Sequence, residues 1–258
     1  MNVIRIVTIA AFAASILSLF ASSMTFADHS TDKGEIKKFT SDGYFVTNIL
    51  KVEINGAIQP STASYMDRLV RHSNDSNYQA ILIELNTPGG MLEPTRSIVM
   101  DILMSNIPVI TYVTPSGARA GSAGTFIVAA SHIAAMSPGT NIGAATPVGA
   151  SGEDLEETMK SKISQDATAL LRSIAEQRNR EPGPLENTVL TSASYTSEEA
   201  LELGIIDLVA ESTSQLLEEI SGVDIVTSDG LVTLDLSLIH ISEPTRRTPI
   251  SYAVFCLK

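Results

Sequence analysis

The stretch Gly117-Ala-Arg-Ala-Gly-Ser-Ala-Gly124 sets one hydroxyl, that of Ser122, among residues with almost no side chain. Small neighbours let a substrate backbone come close. A serine on a tight strand-to-helix turn presents its oxygen above a helix N-terminus, where backbone N–H groups favour negative charge. That is the place for an acyl-transfer nucleophile. A second glycine turn, Thr87-Pro-Gly-Gly90, stands upstream. Acyl transfer needs two N–H donors aimed at the developing oxyanion, and Gly90 and Ala123, the residue after the serine, are placed to supply them. Either turn alone is what ends an ordinary strand. Two of them, each after an apolar strand, favour an enzyme.

These turns need strands before them and helices after them. Residues 108–115 are an apolar, β-branched run that reads as a buried strand, and 80–85 is another. Residues 45–55 read as a strand pair or one long strand, closed by Gly56. Helices are expected over 62–72, with Tyr65, Met66, Leu69 and Val70 at helical spacing. They are also expected over 92–104 and, after the serine, over 125–132. A short strand at 133–136, a turn-rich loop over 137–148 and a flexible stretch over 149–154 follow. A long helix is expected over 155–178 and a short one over 185–190. Another starts at Ser197, whose Ser-Glu-Glu-Ala run puts acids in the first turn, and Gly204 stops it. A strand at 205–209 and a helix at 213–220 close the series. Strands alternating with helices indicate right-handed crossovers and one layered α/β domain, 45–235.

Both ends stand apart from that domain. Residues 1–27 carry Arg5, an apolar run from 7 to 20 and a small-x-small step at Thr25-Phe-Ala27, the pattern of a secretory signal peptide. An uncleaved anchor is the alternative, but the apolar run is short for a span of about 20 residues. The body is therefore expected outside the cytoplasm. Residues 28–44 are polar and read as loose. At the other end, Leu236-Ser-Leu-Ile-His-Ile-Ser-Glu-Pro-Thr-Arg246 matches the translation of a sequencing-library transposon adapter. Residues 236–258 are therefore read as an artefact replacing a native C-terminal membrane region, and His240 and Cys256 go with them.

The formal net charge is −12, and the body is more acidic still because both ends carry net positive charge. Nucleic acid and a polybasic membrane patch are disfavoured as partners, since both need a basic footprint. Cys256 is the single cysteine, so the body holds neither a disulfide nor a zinc-thiolate site. No metal or cofactor is expected. Tryptophan is absent, and the core must be built from Ile, Val, Leu, Ala and Met, a composition suited to parallel strands covered by helices.

Three segments carry a resemblance: Asn86-Thr-Pro-Gly-Gly-Met-Leu92, Pro115-Ser-Gly-Ala-Arg-Ala-Gly-Ser-Ala-Gly124 and Met136-Ser-Pro-Gly-Thr-Asn-Ile-Gly-Ala-Ala-Thr-Pro-Val148. In order and spacing they are similar to the N-terminal protease domain of the NfeD-like membrane-bound serine proteases, over residues 46–235. The resemblance implies a ClpP/crotonase-like superhelix of stacked ββα units, related to signal peptide peptidase A. It implies Ser122 as nucleophile, Gly90 and Ala123 as oxyanion hole, and Gly89, Met91 and Gly121 at the substrate. Gly121 is a departure, since that family usually has alanine before the nucleophile. Arg119 in the same loop reads as solvated.

A nucleophilic serine needs a base. The ClpP branch has a histidine where this chain has Ala145, and His72 and His132 match no base position. That disfavours a Ser-His-Asp triad and leaves a Ser-Lys dyad. Lys160 and Lys162 are the lysines between Lys51 and Lys258. Helical periodicity prefers Lys162 only weakly, and Lys160 stays open on that ground. The family's Lys-x-x-x-Asp-Ala pattern is met by Lys162-Ile-Ser-Gln-Asp-Ala167 and selects Lys162. A base lysine must be held neutral, which desolvation achieves.

The resemblance implies an ATP-independent serine endopeptidase that cuts apolar segments of membrane-associated partners such as stomatin-like proteins. It also implies a homodimer or larger assembly and a membrane-anchored full-length protein. The segment 226–234 resembles the strand region before that membrane part. The competing reading is a catalytically weak interaction domain for the same partners. Acyl-CoA chemistry of the crotonase type is disfavoured by export, because CoA is cytoplasmic.

Overall fold

The computed structural model describes residues 44–46, 48–71, 78–149, 156–236 and 240–242. Residues 1–27, read above as a signal peptide, residues 28–43, the 150–155 stretch and most of the tail lie outside them. A six-stranded parallel sheet runs β12-β2-β3-β4-β6-β9, built from His240–Ser242, Asn48–Asn55, Ala80–Asn86, Val109–Val113, Ile133–Met136 and Leu208–Val209. In register, Val52 faces Ile83, Ile83 faces Thr111 and Thr111 faces Ala134. The central strand β3 is apolar nearly throughout because both its faces are covered.

One face carries Leu50, Val52, Ile81, Ile83, Leu85, Val109 and Val113. It lies under helices α1 (Pro60–Arg71), α2 (Leu92–Leu103), α3 (Ala123–Ala130) and α4 (Glu157–Gln177). These helices contribute Met66 and Val70, Ile98 and Ile102, Phe126 and Ile127, and Leu171 and Ile174 to one core. The other face carries Ile49, Leu82, Ile110 and Tyr112. It packs on α7 (Thr213–Glu219) and on a hairpin of β10 (Asp224–Thr227) and β11 (Gly230–Thr233). The hairpin is extended by parallel pairing of β1 (Tyr44–Phe45) with β11. The 45–55 run thus divides between two sheets. The expected 205–209 strand shortens to two residues because the backbone N–H groups of Ile205 and Ile206 both turn back to the Ala200 carbonyl.

A second small sheet, β5 (Arg119–Gly121), β7 (Asn141–Gly143) and β8 (Ser194–Thr196), stands over the helix side. Bridges extend its pattern, with Ile58 parallel to Gly90 and Thr87 parallel to Ala120. Each repeat therefore has a strand in the large sheet, a short extended segment in the small layer, and then a helix. β4–β5–α3 and β6–β7–α4 do this in full, and β2–Ile58–α1 and β3–Gly90–α2 in abbreviated form. This is the stacked ββα arrangement expected from the sequence. The helices α5 (Pro182–Leu190) and α6 (Ser197–Glu202) lie between α4 and β9. Pro182 starts α5 at a position where its missing N–H is not needed. A capping box between Thr196 and Glu199 starts α6.

Candidate active site

Ser122 sits between β5 and α3 with φ 47° and ψ −107°. Positive φ in a residue with a β-carbon costs on the order of 1–3 kcal/mol and persists only when its surroundings enforce it. They do so here. The Ser122 N–H donates to Gly143 O at 2.8 Å, and the Gly121 N–H donates to Thr87 O at 2.9 Å. At the third residue of α3, the Thr125 hydroxyl reaches Ala120 O at 3.2 Å and Gly143 O at 3.3 Å. The helix begins at Ala123 rather than at 125, which makes Ser122 its N-cap residue. The half-buried Ser122 hydroxyl has no hydrogen-bond partner among the described residues.

The glycine turn 87–91 is laid against this elbow. Ile58 N–H donates to Gly89 O at 2.8 Å and Met91 N–H donates to Ile58 O at 3.0 Å. The buried Thr87 hydroxyl both donates to Gly89 O and accepts from Gly89 N–H, each at 3.0 Å. Gly89 has φ +127°, and a β-carbon there would lie 2.8 Å from Ser122 Cβ. At Gly90 a β-carbon would lie 2.2 Å from Ile58 O. Glycine is thus required at both positions by contact. Among the described residues, neither the Gly90 N–H nor the Ala123 N–H has an acceptor. A β-carbon at Gly121 would lie 3.0 Å from Pro88 O. Met91 stands at the rim, 58% exposed.

The far end of α3 is anchored by residues that carried no signal in the sequence reading. All eight residues of α3 are buried, so its terminal carbonyls need donors from the protein. Arg178 donates to Ala130 O at 2.6 Å, and Arg180 donates to Ala129 O at 3.1 Å and Ser131 O at 3.2 Å. Both cations also suit the negative end of the helix dipole. Arg180 is itself buried and pairs with both oxygens of Asp207, at 3.2 and 2.9 Å. A pair of arginines just past the end of the long helix is the pattern that could have suggested this.

His132 follows α3 and accepts a hydrogen bond from Val109 N–H at Nδ1, at 3.1 Å. Burial, reinforced by Arg178, pushes its pKa down to about 3. Its Nε2 is buried without a partner among the described residues. It is a neutral core histidine. Ala145, the position of the ClpP-branch histidine, is buried, and its N–H donates to Thr188 O at 2.8 Å.

Lys162 lies in the second turn of α4 and is exposed, so the desolvation expected of a base lysine is not found there, while Lys160 is partly buried. Neither is hydrogen-bonded to Ser122. The structure thus brings Ser122, Gly89, Gly90, Gly121 and Ala123 together, with no hydrogen bond from either lysine to the hydroxyl. α4 is tied to α2 by an ion pair between Arg96 Nη2 and Asp166 Oδ2. A hollow of about 150 Å³ lined by Glu53, Asn55, Glu84, Asn86, Thr114 and Pro115 contains neither Ser122 nor a lysine. Among the described residues, no group of three or more His, Cys, Asp or Glu side chains could hold a metal ion. No helix among them is long and apolar enough to cross a membrane.

Comparison with known proteins places this geometry. ClpP1 from Listeria monocytogenes, 23% identical with a TM-score of 0.51, shares the fold. A structure described as the 1510-N membrane-bound stomatin-specific protease, a lysine-to-alanine mutant in complex with a substrate peptide, is 33% identical. It has a TM-score of 0.69 and covers 78% of this chain and 92% of its own. A serine-to-alanine mutant of that protease matches at 33% identity and a TM-score of 0.68 over 78% of this chain and 98% of its own. In sequence, the chain is 37% identical over 207 residues to membrane-bound protease PH1510 of Pyrococcus horikoshii, covering 79% of this chain and 47% of the relative. It is 25% identical to membrane protein NfeD1b of Bacillus subtilis, covering 69% and 45%. The chain thus spans about half the length of the curated relatives it matches. The model of the NfeD1b N-terminal domain matches residues 48–225, and the chain belongs to that family.

Proposed function

We propose that this protein is a serine endopeptidase that cuts apolar segments of membrane-associated proteins, stomatin-like proteins among them. Ser122 Oγ attacks the scissile carbonyl while Lys162 Nζ takes its proton. The N–H groups of Gly90 and Ala123 receive the charge that develops on the carbonyl oxygen. Lys162 then returns the proton to the leaving amine, and water releases the acyl group by the same steps in reverse order. Gly89 and Gly121 keep the approach to Ser122 open, and Met91 offers an apolar edge to the substrate.

The observation that carries this reading is Ser122 itself. A strained residue with a free hydroxyl, flanked by two backbone donors without acceptors, has no evident use in holding the fold. The relatives solved with a substrate peptide or without one carry a replaced lysine or a replaced serine. The sequence separation of those two positions differs by one residue from that between Ser122 and Lys162, and by three from that between Ser122 and Lys160. Catalytic hydrogen bonds are often long before substrate arrives and tighten in the complex, which fits an amine that makes no hydrogen bond to Ser122 here.

Export and membrane anchoring belong to the same proposal. Residues 1–27 act as a signal peptide, and residues 236–258, including the segment that forms β12, stand in for a native membrane region. The test is cleavage of an apolar stomatin-like peptide by the wild type and by Ser122→Ala and Lys162→Ala. Loss of turnover in both variants supports the dyad. Turnover retained by Ser122→Ala sinks the assignment, and peptide binding without any turnover by the wild type favours an interaction domain.

A further inference from the structure

We infer that Arg96 is a positioning residue of this reaction: by engaging Asp166 across α2 and α4 it keeps that carboxylate off Lys162, one helical turn away, and leaves the amine unpaired to act as base. The inference rests on the Ser122–Lys162 reading.

Lys162 and Asp166 stand four residues apart on α4, a spacing at which helix side chains meet. Left to themselves, an ammonium and a carboxylate so placed pair, and the pair favours the charged amine. A general base needs the opposite, an amine that gives up its proton near the working pH. The Lys-x-x-x-Asp spacing alone therefore works against the chemistry. A third residue removes the conflict. The guanidinium of Arg96 engages Asp166 Oδ2, and a planar guanidinium competes well for a carboxylate. Lys162 has no ion-pair partner among the described residues. Arg96 is well placed for this role because α2 starts directly after the Gly89-Gly90 turn. The same contact that clears the carboxylate also ties α4 to the helix that follows the turn holding a proposed oxyanion donor.

The other charged groups near α4 leave Asp166 as the relevant carboxylate. The packed helix α3 has no titratable side chain. α5 brings Glu186, which Arg172 holds at 2.5 Å. On α2, Glu93 lies in the first turn, and Asp101 faces Asp67 and Arg71 of α1. At the N-cap Glu156 and on α4 itself Glu157 and Lys160 precede Lys162, and Glu176 lies near the C-terminal end of α4. Glu153 and Asp154 fall outside the described residues. The side chains of Arg96 and Asp166 are 27% and 65% exposed, so water screens the pair and the expected effect is modest.

The test is the pH dependence of kcat/KM on an apolar peptide for the wild type, Arg96→Gln, Arg96→Lys and R96Q/D166N. Arg96→Gln should move the rising limb up by about half a pH unit, roughly a threefold loss on that limb, with the high-pH plateau kept. Arg96→Lys, which still offers Asp166 a cation, should track the wild type. In the double variant no carboxylate remains to capture the amine, and the limb should return to the wild-type position or below it. A limb that does not move in Arg96→Gln overturns the inference while leaving the dyad standing. So does a limb or plateau that stays displaced in the double variant. Turnover by Ser122→Ala overturns the dyad and this inference together.

Discussion

Gly89 is packed against Ser122 so closely that a β-carbon on the glycine would lie 2.8 Å from the serine Cβ and 3.3 Å from its Oγ. The contact fixes the nucleophile on its open side, while Gly143 O holds its N–H on the other. Gly89→Ala must therefore displace the hydroxyl, and φ +127° adds backbone strain of its own. The expected result is at least a hundredfold loss of kcat/KM, in line with an ångström-scale misplacement of a reacting group. Thermal denaturation should show destabilisation of about 1–3 kcal/mol. Full activity in a folded Gly89→Ala protein would show that the turn does not shape the site.

Strain at Ser122 makes a second, separable prediction. Ser122→Ala keeps a β-carbon at φ 47° and removes only the hydroxyl, whereas Ser122→Gly also relieves the backbone. Both should be inactive. Ser122→Gly should nonetheless unfold at a higher temperature than Ser122→Ala, by the equivalent of about 1 kcal/mol. Equal melting temperatures for the two would mean that the elbow stores no strain.

His132 supplies a pH dependence of stability. Burial holds it neutral in the folded protein down to a pKa of about 3, while an unfolded histidine takes its proton near pH 6.5. Its contribution is thus complete above about pH 6.5 and is lost as pH falls from there toward 3. At pH 4.5 the loss amounts to about 2–3 kcal/mol. His132→Asn can still accept from Val109 N–H and does not titrate. Denaturant unfolding at pH 7.5 and 4.5 should show the wild type losing more stability than the variant by that amount. Parallel losses would contradict the assignment of a neutral, buried ring.

Much of this was legible in the sequence because it rested on periodicity and on glycine. The runs over 80–85, 108–115 and 133–136 became β3, β4 and β6, and the glycine turn and Ser122 lie side by side as the motifs suggested. What escaped was carried by contacts between distant segments. β5, β7 and β8 are three residues each, too short for a period to show, and they exist because neighbouring repeats pair with one another. The start of α3 at Ala123 depends on Gly143 O taking the Ser122 N–H, a partner 21 positions away that no local pattern reveals. The arginines that hold the buried end of α3 look, in sequence, like the solvated end of a long helix. The ion pair between Arg96 and Asp166, which joins α2 to α4, is a further contact that no spacing rule reveals.

The nucleophilicity of Ser122 can be read directly by mass-spectrometric mapping of the phosphonyl adduct that forms when a serine-reactive fluorophosphonate loses fluoride to the hydroxyl, on the wild type and on Lys162→Ala. The expected result is one adduct, on the peptide containing Ser122, formed by the wild type and suppressed at least tenfold in Lys162→Ala. An adduct that forms equally well without Lys162, or that appears on another serine, would contradict the Ser-Lys mechanism.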